Sequence, residues 1–281
     1  AKRYFYYLVY RNIVEKIIRN NSILFMDNIC VDSFLSYYPQ TDTERLAINS
    51  LPFNVFPKLR TKSDYTSNDK LTILTILRAS FPFKGYIFGL VRQVVTLVSE
   101  FPKIRLQIIA FGEQENELQS EINNISSELR SHVEYIGRVS YERLADYFKV
   151  ADLYIGMGTT VLDAANHGLP VLVVNSYTYE SESFGYFSDN PTELAAMNGN
   201  IVPTDVFIRD FFHKTPEERE ALGKASYEAL KAHYSDKVFF EKLVELFNNS
   251  SNFELSLKEK IGIKLLLGYY KLRSTIKGSI K

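Results

Sequence analysis

Blocks of consecutive apolar residues alternate along the chain with segments in which apolar residues recur every three or four positions. The clearest block is 71–77, LTILTIL, which predicts a fully buried strand. Further buried strands are predicted at 104–110, 133–136, 153–155 and 171–174. Helical spacing predicts helices at 86–100, 117–130, 141–149 and from 215 to about 248. Strands that alternate with helices over short loops predict an α/β fold with a parallel, doubly wound, Rossmann-like sheet.

The N-terminal part of the chain carries a shorter pattern of the same kind. It predicts an amphipathic helix over 4–20, a strand over 22–26 and a helix or irregular segment over 31–38. Residues 58–70 are polar and poor in bulky apolar side chains, which is typical of a linker. We therefore expect three regions. They are a partial α/β segment at 1–60, a main domain at 61–250 and a basic tail at 251–281.

Composition limits the partners and the compartment. The 33 basic and 33 acidic residues cancel, so no long-range field favours nucleic acid as a partner. Cys30 is the single cysteine, which excludes an internal disulfide and fits a reducing, cytoplasmic setting. With only four scattered histidines, no metal-ligand cluster is recognisable. No apolar run reaches the roughly 20 residues that a transmembrane helix needs.

The stretch 151–174 contains a glycine turn between a strand and a helix. Gly156 and Gly158 allow a tight turn and the close approach of a ligand to the backbone. Thr159 or Thr160 can then cap a short helix, and Gly168 suits its C-terminal end. The free amides of such a helix, at the carboxyl end of a strand, favour a phosphate. The same junction also occurs as a packing solution in α/β proteins, so the pattern alone leaves both interpretations open.

Charged residues follow other predicted strands. Arg78 ends the first strand of the main domain, Lys84 lies in the loop after it, and Arg138 follows the third strand. Asp163 lies in the short helix after the glycine turn. Taken singly, these side chains fit solvated surface charges. Their joint position at strand ends favours a binding site.

The order and spacing of these signals resemble the donor-binding half of retaining glycosyltransferases with two Rossmann-like domains (the GT-B type, family 4). The residues that carry the resemblance are Arg78, Lys84-Gly85, Gly112-Glu113, Gly137-Arg138, Gly156-Met157-Gly158, Asp163 and Gly168-Leu169-Pro170. It is strong over 71–190 and weaker over 11–54, which looks like the end of an acceptor-side domain. The family carries two glutamates separated by seven residues. The second corresponds to Asp163, whereas the first corresponds to Ile155, which cannot contact a sugar through a carboxylate.

The resemblance implies a hexosyltransferase that takes sugar from a UDP- or GDP-sugar and serves cell-surface polysaccharide or glycoconjugate assembly, with a glycan or lipid-linked acceptor. Arg78 and Lys84 would hold the diphosphate, Arg138 would lie beside the base, and Asp163 would accept hydrogen bonds from the ribose. The turn formed by Gly156, Gly158, Thr159 and Thr160 would contact the donor. Neither a metal ion nor a cofactor is then expected. Because most of the acceptor-side domain is missing, we expect the isolated chain to bind the donor without transferring sugar.

Two other functions remain as alternatives. A non-catalytic nucleotide-sugar-binding module is favoured by Ile155 and by the short first region. A dinucleotide-dependent oxidoreductase is suggested by the Gly156-x-Gly158 pair, but Val161 stands where that fingerprint needs its third glycine.

The C-terminal segment 258–281 is basic and amphipathic. It contains seven cations and one acid, and its apolar residues fall on one helical stripe. This pattern is typical of a helix that lies on an anionic membrane surface, and it also fits a helix that packs on the acceptor-side domain. We therefore expect a cytoplasmic protein that is peripheral on the inner face of the membrane.

Overall fold

The computed structural model describes residues 2–49, 52–55, 71–195, 200–250 and 254–257, together with positions 260, 261 and 264. The chain divides into two compact units, Ala1–Ser50 with Phe239–Lys281, and Leu51–Val238. The predicted linker at 58–70 lies outside the described residues, and so does the predicted amphipathic tail at 258–281, apart from three isolated positions.

The first unit begins with helix α1 (Lys2–Arg19), strand β1 (Leu24–Phe25), helix α2 (Asn28–Tyr37), a 3-10 turn (Thr43–Arg45) and strand β2 (Ala47–Ile48). The two short strands pair in parallel. Asp27 caps α2, because its side chain accepts a hydrogen bond from the backbone N–H of Cys30 at 2.7 Å. The predicted helix, strand and helix of this region are therefore confirmed, with a shorter strand.

The second unit contains the main sheet and the helices that cover it. In chain order its elements are β3 (Leu71–Arg78), α3 (Tyr86–Leu97), β4 (Ile104–Phe111), α4 (Glu115–Asn123), α5 (Ser127–Arg130), β5 (Val133–Tyr135), α6 (Tyr141–Val150), β6 (Leu153–Gly156), α7 (Thr160–Asn166), β7 (Val171–Val174), β8 (Glu182–Tyr186), β9 (Val202–Pro203), α8 (Thr204–His213) and α9 (Pro216–Tyr234). Helix α10 (Asp236–Asn249) runs from this unit into the first one.

The seven strands lie in the order β5-β4-β3-β6-β7-β8-β9. Strands β3 to β7 are parallel, which confirms the predicted doubly wound sheet. The chain leaves β3 toward β4 and β5 on one side and returns to β6 and β7 on the other. The topological switch point, where open α/β sheets bind ligands, therefore lies between the carboxyl ends of β3 and β6.

Strands β8 and β9 were not predicted, and both are antiparallel. Strand β8 lies in a stretch whose polar residues break the hydrophobic pattern. In the structure these polar side chains include one that forms hydrogen bonds inside the sheet. Ser183 is fully buried and its hydroxyl donates to the carbonyl of Val173 at 2.7 Å.

The predicted helix boundaries need three corrections. The segment 117–130 forms two helices, α4 and α5, and α8 was not predicted at all. The long helix from 215 is interrupted at Ser235, which is extended at φ −63° and ψ 150°. Here Phe53 forms a bridge to Ser235 and donates its backbone N–H to the carbonyl of Tyr234 at 2.7 Å. Because Phe53 is distant in sequence, the helical periodicity of 215–248 could not predict this interruption.

Candidate functional site

The eight residues that the sequence singled out come together at the carboxyl edge of the parallel strands. Arg78 ends β3, Lys84 lies in the loop between β3 and α3, and Arg138 lies between β5 and α6. Gly156 ends β6, and it is followed by Gly158, Thr159, Thr160 and Asp163 at the start of α7. This edge includes the switch point between β3 and β6, so the fold brings these residues to the position where it can bind a ligand.

The two cations after β3 line a cleft of about 380 Å³. The side chains of Phe83, Glu113 and Gln114 also line it. Within the described parts of the chain, no carboxylate lies within 4 Å of Arg78 or Lys84. Arg78 is exposed and Lys84 is partly buried. The cleft therefore presents two positive charges that are not neutralised by a close ion pair, an arrangement suited to an anion.

Burial lowers the pKa of Lys84 below its usual value, because the charged ammonium loses water without gaining a carboxylate partner. An anionic group bound against Lys84 would reverse this effect and raise the pKa. The surroundings of the Lys84 ammonium thus favour an anion such as a phosphate group at that side of the cleft, which Glu113 also lines.

Gln114 fixes the loop that carries these cations, and sequence reasoning missed it. Its side-chain carbonyl accepts a hydrogen bond from the backbone N–H of Phe81 at 2.6 Å. Gly112, at φ 143°, lies so close to this loop that a Cβ would come within 2.7 Å of the carbonyl oxygen of Ala79. The glycine after β4 is thus needed for packing against the cation loop. Its position directly after a strand was the available signal.

The turn after β6 uses its residues in different ways. The N–H of Gly158 donates to the carbonyl of Leu194 at 2.6 Å, so this amide is not available to a ligand. The amides of Thr159 and Thr160 donate to no acceptor among the residues described. Thr159 occupies the N-cap position of α7, as predicted, although its side chain makes no capping hydrogen bond. The predicted C-terminal cap at Gly168 is confirmed, with φ 69° and its N–H bonded to Ala165.

Thr160 and Gly156 also pack against a buried tyrosine. The hydroxyl of Tyr154 donates to Oγ1 of Thr160 at 2.6 Å, and both hydroxyl oxygens lie 3.4 Å from the carbonyl of Ile76 in β3. A Cβ on Gly156 would come within 2.6 Å of the Tyr154 hydroxyl. The glycine therefore makes room for the tyrosine, and the Thr160 side chain ties α7 to β3 two residues before Arg78.

Asp163 is largely buried, with an exposed fraction of 9%, and it faces α6. The hydroxyl of Tyr141 donates to its Oδ1 at 2.8 Å. Desolvation raises the pKa of Asp163 above its usual value, while the hydrogen bond from Tyr141 and the nearby His167 oppose the rise. His167 itself bonds through Nδ1 to the main-chain carbonyl of Asp163 at 2.8 Å.

Arg138 follows β5, the outermost parallel strand on the β4 side of β3. Its guanidinium carbon stands 5.9 Å from the ring centroid of Phe111, the exposed last residue of β4. Gly137 has φ 79°, which explains a glycine before this arginine. Arg138 and Phe111 together offer a cation and an aromatic face next to the carboxyl ends of β4 and β5.

Ile155 is fully buried in β6. A residue at this position therefore contributes to the core of the fold in this chain, and it does not present a polar group to the cleft.

Among the described residues, no helix is long and apolar enough to cross a membrane.

Comparison with solved structures identifies proteins of similar fold. Solved structures that resemble the chain include a mutant of S. aureus TarM in complex with UDP (17% identity, TM-score 0.55), covering 85% of this chain and 46% of that one. The pneumococcal O-GlcNAc transferase GtfA in complex with UDP and GlcNAc matches at 15% identity and TM-score 0.53, covering 80% and 44%. Anabaena HepE in complex with UDP and glucose matches at 11% identity and TM-score 0.58, covering 80% and 62%.

The chain spans less than two thirds of the length of each of these structures. No curated protein matches it in sequence. The family model described as "Glycosyl transferases group 1" matches residues 60–201, half of the chain and nearly all of the sheet. The strand order, the cationic cleft after β3 and β4 and this match agree, and the chain belongs to the group 1 glycosyl transferase family, with a GT-B, Rossmann-like fold.

Proposed function

We propose that this chain is the donor-binding part of a hexosyltransferase of the retaining, family-4-like type. It binds a UDP- or GDP-sugar at the carboxyl edge of the sheet, with the diphosphate in the cleft after β3 and β4, and serves the assembly of cell-surface polysaccharide or glycoconjugate. The observation that carries the proposal is the cleft itself. Arg78 and Lys84 both line it without a described carboxylate within 4 Å, at the edge of the sheet where α/β folds bind nucleotides.

Each residue then has a chemical role. The cations Arg78 and Lys84 neutralise the diphosphate and stabilise it as the leaving group when the sugar departs. The free amides of Thr159 and Thr160 add donors to the same charge. Asp163 accepts hydrogen bonds from the ribose, and Arg138 with Phe111 lies beside the base.

Structures related in fold support this choice of ligand. TarM, GtfA and HepE were each solved with UDP, and GtfA and HepE also with a sugar. We further propose that the region 1–60 belongs to an acceptor-side domain, that 61–250 binds the donor, and that the acceptor is a glycan or a lipid-linked sugar. The basic tail at 251–281 would hold the protein at the cytoplasmic face of an anionic membrane.

Ile155 favours a second candidate, a nucleotide-sugar-binding module without catalysis. Its side chain is apolar and fully buried where the resembling family has a glutamate that contacts the donor sugar. Both candidates bind the nucleotide, and they differ in turnover.

Titration calorimetry with UDP, GDP and ADP tests the shared part of the proposal. We expect the chain to bind UDP or GDP more tightly than ADP, and Arg78→Gln to weaken that binding. No heat with any of the three at millimolar concentration would contradict the assignment of the cleft. A coupled assay with the corresponding sugar nucleotides then tests turnover. We expect the chain alone to bind without transfer, a result that fits both candidates, whereas turnover by it would exclude the non-catalytic module.

A further inference from the structure

Tyr141 has an unusual environment for a surface tyrosine. It is the first residue of α6 and its exposed fraction is 67%, yet its hydroxyl donates to Oδ1 of Asp163 at 2.8 Å. The exposed side chain thus reaches from the start of α6 to Asp163, the one acidic residue in the first turn of α7. Sequence reasoning assigned no role to it.

The two oxygens of the Asp163 carboxylate are not equivalent. Oδ1 is occupied by the Tyr141 hydroxyl. Among the described residues, the Tyr141 hydroxyl is the only hydrogen-bond donor to the Asp163 side chain, and it bonds to Oδ1 and not to Oδ2. Oδ2 is not among the buried side-chain atoms that lack a partner, so it remains open to solvent. One oxygen is therefore held by the protein, and the other can accept a hydrogen bond from a ligand.

The direction of the hydrogen bond is fixed by chemistry. The bond to Asp163, together with partial burial, raises the pKa of Tyr141 to about 12. Tyr141 therefore stays protonated at physiological pH and acts as the donor. An ionised carboxylate that accepts one strong hydrogen bond loses freedom about its side-chain torsions, which lowers the entropy cost of binding a second donor.

We propose that Tyr141 is a positioning residue of a ribose subsite: its hydroxyl holds the Asp163 carboxylate so that Oδ2 accepts hydrogen bonds from the ribose hydroxyls of a nucleoside diphosphate. The inference rests on the proposed function, because it assumes that a nucleotide binds at this edge of the sheet. Tyr141 acts through Asp163. Its loss should therefore reduce discrimination for the ribose hydroxyls and leave the affinity for a nucleotide without them unchanged.

The experiment compares UDP with 2′,3′-dideoxy-UDP, and GDP with its dideoxy form, by titration calorimetry on the full chain. The wild type should prefer the ribose form by about tenfold or more, the value expected for a hydrogen bond to a charged acceptor. Tyr141→Phe removes only the hydroxyl. It should lower that preference by about threefold to tenfold while the affinity for the dideoxy form stays within about twofold.

Tyr147→Phe is the matched control. Tyr147 lies on the same helix, and its hydroxyl has no hydrogen-bond partner among the described residues. This variant should keep the full ribose preference. Asp163→Asn should reduce the preference at least as much as Tyr141→Phe does.

Two results would overturn the inference, and they differ. If the wild type binds the nucleotide but Tyr141→Phe keeps the wild-type ratio, or weakens both forms equally, Tyr141 has only a structural role and the donor site stands. If the wild type binds none of the four nucleotides, the proposed function fails together with the subsite.

Discussion

The hydroxyl of Tyr154 donates to Oγ1 of Thr160 at 2.6 Å, in the interior between β6 and α7. Burial raises the pKa of Tyr154 well above its usual value, so this hydroxyl is a permanent donor. The side chain of Thr160 therefore stabilises the turn, which leaves only its backbone amide available to the proposed diphosphate. The neighbouring Thr159 is exposed and makes no such bond.

Thr160→Val should lower the free energy of unfolding by about 1–3 kcal/mol, because the Tyr154 hydroxyl loses its closest partner in a buried position. The isosteric change keeps the volume and the backbone amide. Urea denaturation measures the effect, and Thr159→Val, which alters an exposed side chain, is the control. Equal stability of the two variants would show that the buried hydroxyl does not depend on Thr160.

Lys84→Met should weaken the binding of UDP or GDP by about tenfold to a hundredfold, since a charge-assisted contact to the diphosphate is lost. Stability should stay the same or rise. Desolvation lowers the pKa of Lys84, so the folded state disfavours its charged form at neutral pH. Calorimetry and urea denaturation test the two effects.

Lys149→Met is the control for Lys84→Met. Lys149 is exposed near the C-terminal end of α6, away from the cleft, and its replacement should leave the affinity for the nucleotide unchanged. For wild-type Lys84 the affinity should also fall as the pH rises through its lowered pKa. An affinity for Lys84→Met equal to that of the wild type would place the diphosphate elsewhere.

Asp163→Asn should weaken nucleotide binding by about 1–3 kcal/mol at neutral pH, because a neutral amide replaces a charged acceptor. Burial raises the pKa of Asp163 above 3.8, so the affinity of the wild type should decline as the pH falls through that raised value. The phosphates of the ligand also titrate, and the comparison is therefore the ratio of wild type to Asp163→Asn at each pH. That ratio should shrink toward one in acid.

The raised pKa of Asp163 affects folding stability in the opposite direction to nucleotide affinity, because stability falls where affinity rises with pH. A raised pKa of an acid contributes stability that is fully present below its unfolded value and is lost as the pH rises through the folded value. Ionised Asp163 therefore costs stability at neutral pH, and Asp163→Asn should be at least as stable as the wild type. A large loss of stability would mean that the hydrogen bond from Tyr141 needs the charged carboxylate and outweighs the cost of burying it.

Gly89→Ala should lower the free energy of unfolding by more than about 2 kcal/mol, although alanine is normally favoured within a helix. A Cβ at Gly89 would lie 2.2 Å from the backbone N of Ser181 and 2.7 Å from the carbonyl carbon of Glu180. Helix α3 would have to move away from this segment. Thermal unfolding measures the loss.

Gly158→Ala serves as the comparison for this variant. No atom lies within 4 Å of the position that a Cβ would take at Gly158, so only the strain of φ 78° remains, at about 1–2 kcal/mol. A Gly89→Ala protein as stable as Gly158→Ala would show that α3 can shift at little cost.

The basic tail should bind the full chain to anionic liposomes in a salt-sensitive manner, because each cation near such a surface contributes about 1 kcal/mol. Cosedimentation with anionic and with neutral liposomes measures this. Deleting 252–281, or replacing Lys258, Lys260 and Lys264 by glutamine, should weaken the anionic binding. Equal binding to both kinds of liposome would contradict an electrostatic attachment and favour a packing role for the tail.

Local sequence patterns were sufficient to predict the parallel sheet and the strand ends at which the candidate residues stand. Runs such as 71–77 are apolar without interruption because both faces of β3 are covered, and local periodicity reports such burial directly. The start of α9 was equally predictable, since Thr215 and Glu218 form a capping box in which each side chain bonds to the other's backbone across three residues.

The use that the protein makes of these residues depends on tertiary packing. The hydroxyl of Tyr141 reaches Asp163 from 22 positions away, and Gln114 holds Phe81 from 33. The break of the last long helix at Ser235 and the pairing of β8 likewise depend on partners elsewhere in the chain. Periodicity records which face of an element is buried, whereas a hydrogen bond between two distant polar groups depends on how the elements pack, and no local pattern carries that information.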